Sequence, residues 1–194
     1  QHGLHREAIR HSLAARDYQG AAELIRAIAI DMMQQGEHTA VVGWINTLPE
    51  DLVRRQPYLC VLHAWALQLT GNLNAAEARL NDAQNALDDR DGQDDQDAGV
   101  VLGLVRSHYA YLTFMRGEHR QTIAYARQAL EELPEEAALI RLQTALYLGV
   151  AYRYQGQLRA ALDVYRDVLP LAQTMGGKSI AALCYTHLGD LEMQ

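Results

Sequence analysis

LYLGVAYRYQGQLRAALDVYRDVL, residues 146–169, decides the fold. Beyond Gly156, residues Leu158, Ala161, Leu162, Tyr165, Val168, Leu169 and Ala172 recur at the spacing of one helix face. Before it, Leu142, Ala145, Leu148, Gly149 and Tyr152 mark a matching face. Two such helices meeting at a glycine make an antiparallel hairpin. Gly149 lies inside the first of them, where glycine costs about 1 kcal/mol relative to alanine. The expectation is that it removes a side chain where the helix crosses its partner closely, against Ala161.

The same arrangement recurs along the chain. Turn-like glycines stand at Gly36, Gly71, Gly117 and Gly156, and seven residues before each lies a small residue, Ala29, Ala64, Ala110 and Gly149. Gly189 extends the second ladder. By analogy with Gly149 and Ala161, the close pairs should be Ala64 with Ala76 and Ala110 with Thr122. A fixed period of this kind is the signature of stacked helical repeats.

The pattern predicts helices over residues 4–15, 18–35, 38–48, 57–70, 73–88, 98–116, 119–133, 135–155, 158–175 and 178–194, with no strand. In TLPEDL (47–52) and ELPEEA (132–137) a proline suits a first helical position and the acids following it suit the positive end of the helix dipole. Asn74 followed by Glu77 reads as a capping-box variant. The expected architecture is all-α, a right-handed superhelical solenoid over 1–194. Shorter N-terminal helical repeats fill 1–56, and longer hairpins fill 57–194 with an acidic loop at about 88–97.

Composition narrows the function classes. The 194 residues are 49% apolar, which suits one sizeable core. Of the net charge of −7, the segment DDRDGQDDQD (88–97) supplies −5 through six aspartates and one arginine. The remainder carries no broad basic footprint, so direct nucleic-acid binding is not expected. No apolar run reaches the roughly 18 residues of a membrane span and nothing resembles a signal peptide, so a cytoplasmic location is expected. Cys60 and Cys184 sit in apolar helical patterns without metal or redox spacing and read as buried thiols. A start at Gln1 and a stop at Gln194 inside an apolar-periodic segment read as a piece of a longer protein.

LGVAY (148–152), Gly156 and ALDVY (161–165) resemble the tetratricopeptide pattern, with Ala145 in place of its usual tryptophan and Pro134 at the closing-proline position of the preceding repeat. A narrower resemblance lies in AIRHSLAARDYQGAA (8–22), WINTLPEDLVRRQPYL (44–59) and AWALQLTGNLNAAE (64–77). These stretches are similar to the helical-repeat region of the large MalT-like, LuxR-type ATP-dependent transcriptional regulators. The resemblance covers about residues 3–85, and the later repeats continue in the same style. It implies an ATPase module before the solenoid and a helix-turn-helix domain after it. It also implies a sensor role, in which a small-molecule inducer or a regulatory protein changes assembly of the full regulator.

Motifs of catalysis and metal binding carry little. AQTMGGKS (172–179) fits a loose phosphate-loop pattern, yet such a loop needs a strand before it, and an apolar-periodic helix precedes it here. Placing Gly92 at position six of a calcium loop puts Leu87 and Ala98 where acids are required. His2, His5 and His11 lack paired acidic or cysteine ligands, and no nucleophile elbow or triad pattern occurs. No enzyme activity and no cofactor or metal is expected.

Candidate binding residues lie on the first helix of each hairpin. With the small residue packed inward, neighbouring positions should face the concave side: Trp65 and Gln68; His108, Tyr111 and Phe114; Tyr147, Arg153 and Tyr154; His187 and Asp190. Aromatic planes beside hydrogen-bonding groups suit a sugar, a peptide or an amphipathic helix. A generic scaffold binding a protein segment without any small-molecule effector is the alternative. Ile180, Leu183, Cys184, Leu188 and Leu191 should form an apolar strip on the last helix, a potential surface for self-association.

Overall fold

The computed structural model describes residues 2–89 and 96–174, together with Ala182, Tyr185, Thr186 and Gly189. Among the described residues it is all-α, with ten helices and no strand. They are α1 (His2–Ala14), α2 (Tyr18–Gln34), α3 (His38–Thr47), α4 (Glu50–Arg54), α5 (Pro57–Leu69), α6 (Leu73–Asp88), α7 (Gln96–Met115), α8 (His119–Glu132), α9 (Ala138–Tyr154) and α10 (Leu158–Thr174). The chain divides into two compact units, Gln1–Asp94 and Asp95–Gln194. The division falls in the aspartate-rich stretch, of which residues 90–95 lie outside the described residues.

One turn recurs in both units. Gly36, Gly71, Gly117 and Gly156 all adopt positive φ, from 72° to 82°. At each, the glycine N–H donates to the carbonyl three residues back and the following N–H reaches the carbonyl five back, as in Gly156 N to Arg153 O (3.0 Å) and Gln157 N to Tyr152 O (2.9 Å). This is the Schellman closure, which satisfies carbonyls orphaned at a helix end and needs a left-handed residue. A fifth copy joins α1 to α2, where Arg16 takes the left-handed place at φ 59° with the same pair of bonds.

In the first unit α2 buries Ala21, Ala22, Ile25, Ile28, Ala29, Met32 and Met33, one continuous face. Asp17 starts this helix by accepting from Gly20 N at 3.0 Å. α5 is buried almost all round and packs against α2, α3, α4 and α6, so it is the central helix of the unit. Arg26 lies over the Tyr58 ring at 5.4 Å and joins α2 to α5. In the second unit α7 packs on α8 and α9, α8 on α9, and α9 on α10. Contacts between successive and next-but-one helices are those of a helical-repeat array.

Four expectations need correction. The space beside Gly149 belongs to Tyr165 rather than Ala161: a Cβ there would meet Tyr165 Cε1 and Cζ at 2.7 Å, and that ring is fully buried. The cap of α6 is Asn72, which accepts from Ala75 N at 3.4 Å, while Asn74 lies inside the helix. Pro134 opens a turn, closed by Ala137 N to Pro134 O at 3.1 Å, and α9 begins only at Ala138. Pro49 is the N-cap of α4, a five-residue helix whose length is too short for apolar periodicity to register. The predicted segment 178–194 and its apolar strip lie outside the described residues apart from the four named above.

Candidate functional site

Three of the candidate residues come together in the second unit. On α7, Tyr111 and Phe114 sit one turn apart, and both meet Tyr147 of α9. The Tyr111 and Tyr147 rings are tilted at 57° with centroids 5.6 Å apart, and Phe114 stacks on Tyr147 at 5.2 Å and 28°. These are favourable aromatic geometries. Burial pushes the Tyr147 hydroxyl up to about 12, with Tyr111 adding to the effect, so it is a neutral donor at any ordinary pH.

Tyr154 occupies the exposed end of α9 with 70% of its surface open, and its ring lies parallel to His119 of α8 at 4.5 Å. Sequence reasoning did not mark His119, because its partner is brought near only by the α8–α9 packing. Arg153 is half-buried beside Tyr154. His108, by contrast, is only 7% exposed, and burial lowers its pKa to about 4. It is a neutral core histidine.

In the first unit Trp65 is half-buried and Gln68 is 5% exposed. His187 and Asp190 lie outside the described residues. The motif at 172–179 is described only as far as Thr174, where α10 is still helical. No group of three or more His, Cys, Asp or Glu that could hold a metal ion occurs among the described residues. No helix among them is long and apolar enough to cross a membrane. Cys60 is buried, its thiol donates to Val53 O at 3.1 Å, and burial, followed by the charge of Asp82, raises its pKa to about 12. Such a thiol is unreactive.

A second constellation in the first unit was not anticipated. Arg79 of α6 donates to both Glu50 oxygens of α4, at 2.6 and 2.8 Å, and to Asp82 at 3.0 Å. Arg54 reaches the same two carboxylates through Nε, at 3.0 Å to Glu50 and 3.6 Å to Asp82. The Arg79 hydrogen bond holds the Glu50 carboxyl below the usual range. The four groups border a cleft of about 290 Å³ between α3, α4, α5 and α6, with Asn46, His63 and Leu67 among its lining. Glu50 with Arg54 and Arg79 with Asp82 are separated by four and three residues, a signal of paired helix charges that the sequence does contain.

No family model matches the chain. Over 171 residues, 88% of its length, it is 23% identical to the HTH-type transcriptional regulator MalT of Serratia proteamaculans. It is 24% identical over the same span to the regulators of that name from Yersinia pestis and Yersinia pseudotuberculosis. The chain spans about a fifth of these relatives, 19% of their length.

Proposed function

We propose that the chain is the noncatalytic sensing and partner-binding region of a MalT-like regulator of the LuxR type, with its hairpins stacked as a right-handed tetratricopeptide-like superhelix in a cytoplasmic protein. The observation that carries this reading is the similarity of 88% of the chain to proteins named as MalT regulators. The recurrent Schellman turns and paired helices supply the matching architecture. A small-molecule inducer or regulatory protein segment would engage aromatic and polar groups on the first helices of the hairpins. In the second unit accessible Tyr154 and half-buried Tyr111, Phe114, Tyr147 and Arg153 are the members suited to contact, and in the first unit half-buried Trp65; Gln68 and His108 are buried.

Binding would regulate only through unequal affinity for two arrangements of the repeats and the flanking ATPase and DNA-binding modules. A tetratricopeptide-like scaffold that binds a protein segment with no effector is the second reading, and the repeat turns alone favour it equally. The adjoining coding sequence separates the two. An ATPase module before the chain and a helix-turn-helix domain after it are expected for the regulator, and their absence overturns that reading.

The surface itself is tested by a thermal-shift screen of metabolites and peptides, repeated with Trp65→Ala, Arg153→Ala and Tyr154→Ala. Loss of at least about tenfold in affinity is expected in one or more variants, corresponding to the removal of one good contact. Unchanged binding in all three rejects the surface.

A further inference from the structure

FMRGEHR (114–120) and RYQGQLR (153–159) are the windows around the two turn glycines of the second unit, and together they hold four arginines against one glutamate. The matching windows of the first unit, MQQGEHT (33–39) and QLTGNLN (68–74), hold no arginine. In a chain of net charge −7 the second pair is a local reversal of sign. Its two windows are neighbours in space, because the His119 ring lies parallel to that of Tyr154 at 4.5 Å.

Folding does not account for these charges. Arg120 and Arg159 are the second residues of α8 and α10, where a cation opposes the helix dipole. Both are exposed, and neither pairs with an acid among the described residues. The same edge exposes apolar surface: Met115 and Tyr154, each two residues ahead of its turn glycine, are 53% and 70% open. Arginine, methionine and tyrosine are the residue types enriched where proteins meet. At the far ends of α8 and α9, Glu131, Glu135 and Glu136 are exposed, so the positive field is confined to the turn edge. A nucleic-acid strand needs a basic stripe along which its phosphates can run, whereas a short acidic peptide needs only a patch.

We propose that this turn edge docks an acidic peptide segment of a partner protein, with carboxylates of the segment on Arg120 and Arg159 and one of its apolar side chains against Tyr154 and Met115. The proposal names the chemistry of the partner and rests on the partner-binding reading above. The wider screen decides that surface and the adjoining coding sequence decides the regulator, so failure of the titration below overturns the acidic partner alone.

Calorimetric titration of the whole chain at low salt with the peptide acetyl-Asp-Glu-Phe-Asp-Glu-Leu-Asp-amide tests the assignment. Run alongside are the same peptide with Asn and Gln for its acids, the same peptide with Ser for Phe and Leu, and an oligothymidylate. The acidic apolar peptide is expected to bind saturably and more tightly than the other three, and to weaken as salt is added. Arg120→Gln combined with Arg159→Gln, both at exposed positions, should lower its affinity at least about fivefold, as the loss of two exposed ion pairs requires. Tyr154→Ala should lower it too, while Arg10→Gln, an exposed arginine of the first unit, should leave it unchanged. No saturable binding overturns the proposal. So does equal affinity for any of the three comparison ligands, wild-type affinity in the double arginine variant or in Tyr154→Ala, or an equal loss in Arg10→Gln. Sedimentation of the chain alone that shows a dimer, dissolved by the double arginine variant, assigns the edge to a second copy and overturns the proposal as well.

Discussion

At Gly149 an added methyl would stand 2.7 Å from two carbons of the Tyr165 ring, and the ring has nowhere to go because it is fully buried. Gly149→Ala should therefore destabilise the second unit by about 1–2 kcal/mol, overpacking outweighing the gain in helix propensity. Urea unfolding checks this, and a Tyr165→Leu background should reverse the sign if the ring is the obstacle. Arg16 presents the opposite case. A left-handed non-glycine residue costs about 1–2 kcal/mol, and glycine returns about 0.4–1 kcal/mol through the unfolded chain. Arg16→Gly should thus stabilise by roughly 0.5–1 kcal/mol in the same experiment. The four glycine turns are readable from sequence because glycine advertises positive φ. Arg16 gives no such signal, and its turn becomes visible only from its backbone bonds.

Among the elements, α10 carries Pro170 in its interior with the side chain exposed. Proline there removes an N–H from the ladder and crowds the preceding turn. Replacing it with alanine forfeits no buried contact, and Pro170→Ala should raise the thermal midpoint, with a gain of about 1–3 kcal/mol. An unchanged or lower midpoint contradicts this. Helix positions were legible because apolar residues repeat over three or more turns, as in α2 and α10. Their starts were less so: α9 begins at Ala138 instead of 135, and its approach is fixed by Arg141. That side chain donates to the Leu130 and Leu133 carbonyls at 2.8 and 2.5 Å, tying α9 to the end of α8. A contact of this kind depends on tertiary packing and leaves no local pattern. The His63 cleft was invisible for a related reason, since periodicity places His63 on a helix but says nothing of its partners.

For the molecule as a whole, each unit contains, among the described residues, one buried neutral histidine, His63 in the first and His108 in the second. Their folded pKa values, about 4, lie below the ordinary 6.5, so the unfolded chain binds protons more readily than the folded one. Their contribution is complete above pH 6.5 and is lost as pH falls towards 4. At pH 5 the loss is on the order of 2 kcal/mol for each histidine. Urea titrations at pH 7 and pH 5 should show both units weakened, and His108→Phe should blunt the change in the second alone.

Cys60 is sealed beneath Val53 with its proton held to about 12, which makes it a built-in clock for the first unit. An alkylating reagent can reach the sulfur only when the α4–α5 packing opens. In a Cys184→Ser background, the labelling rate should track urea concentration as global opening does, and any ligand seated against α5 should slow it in proportion to occupancy.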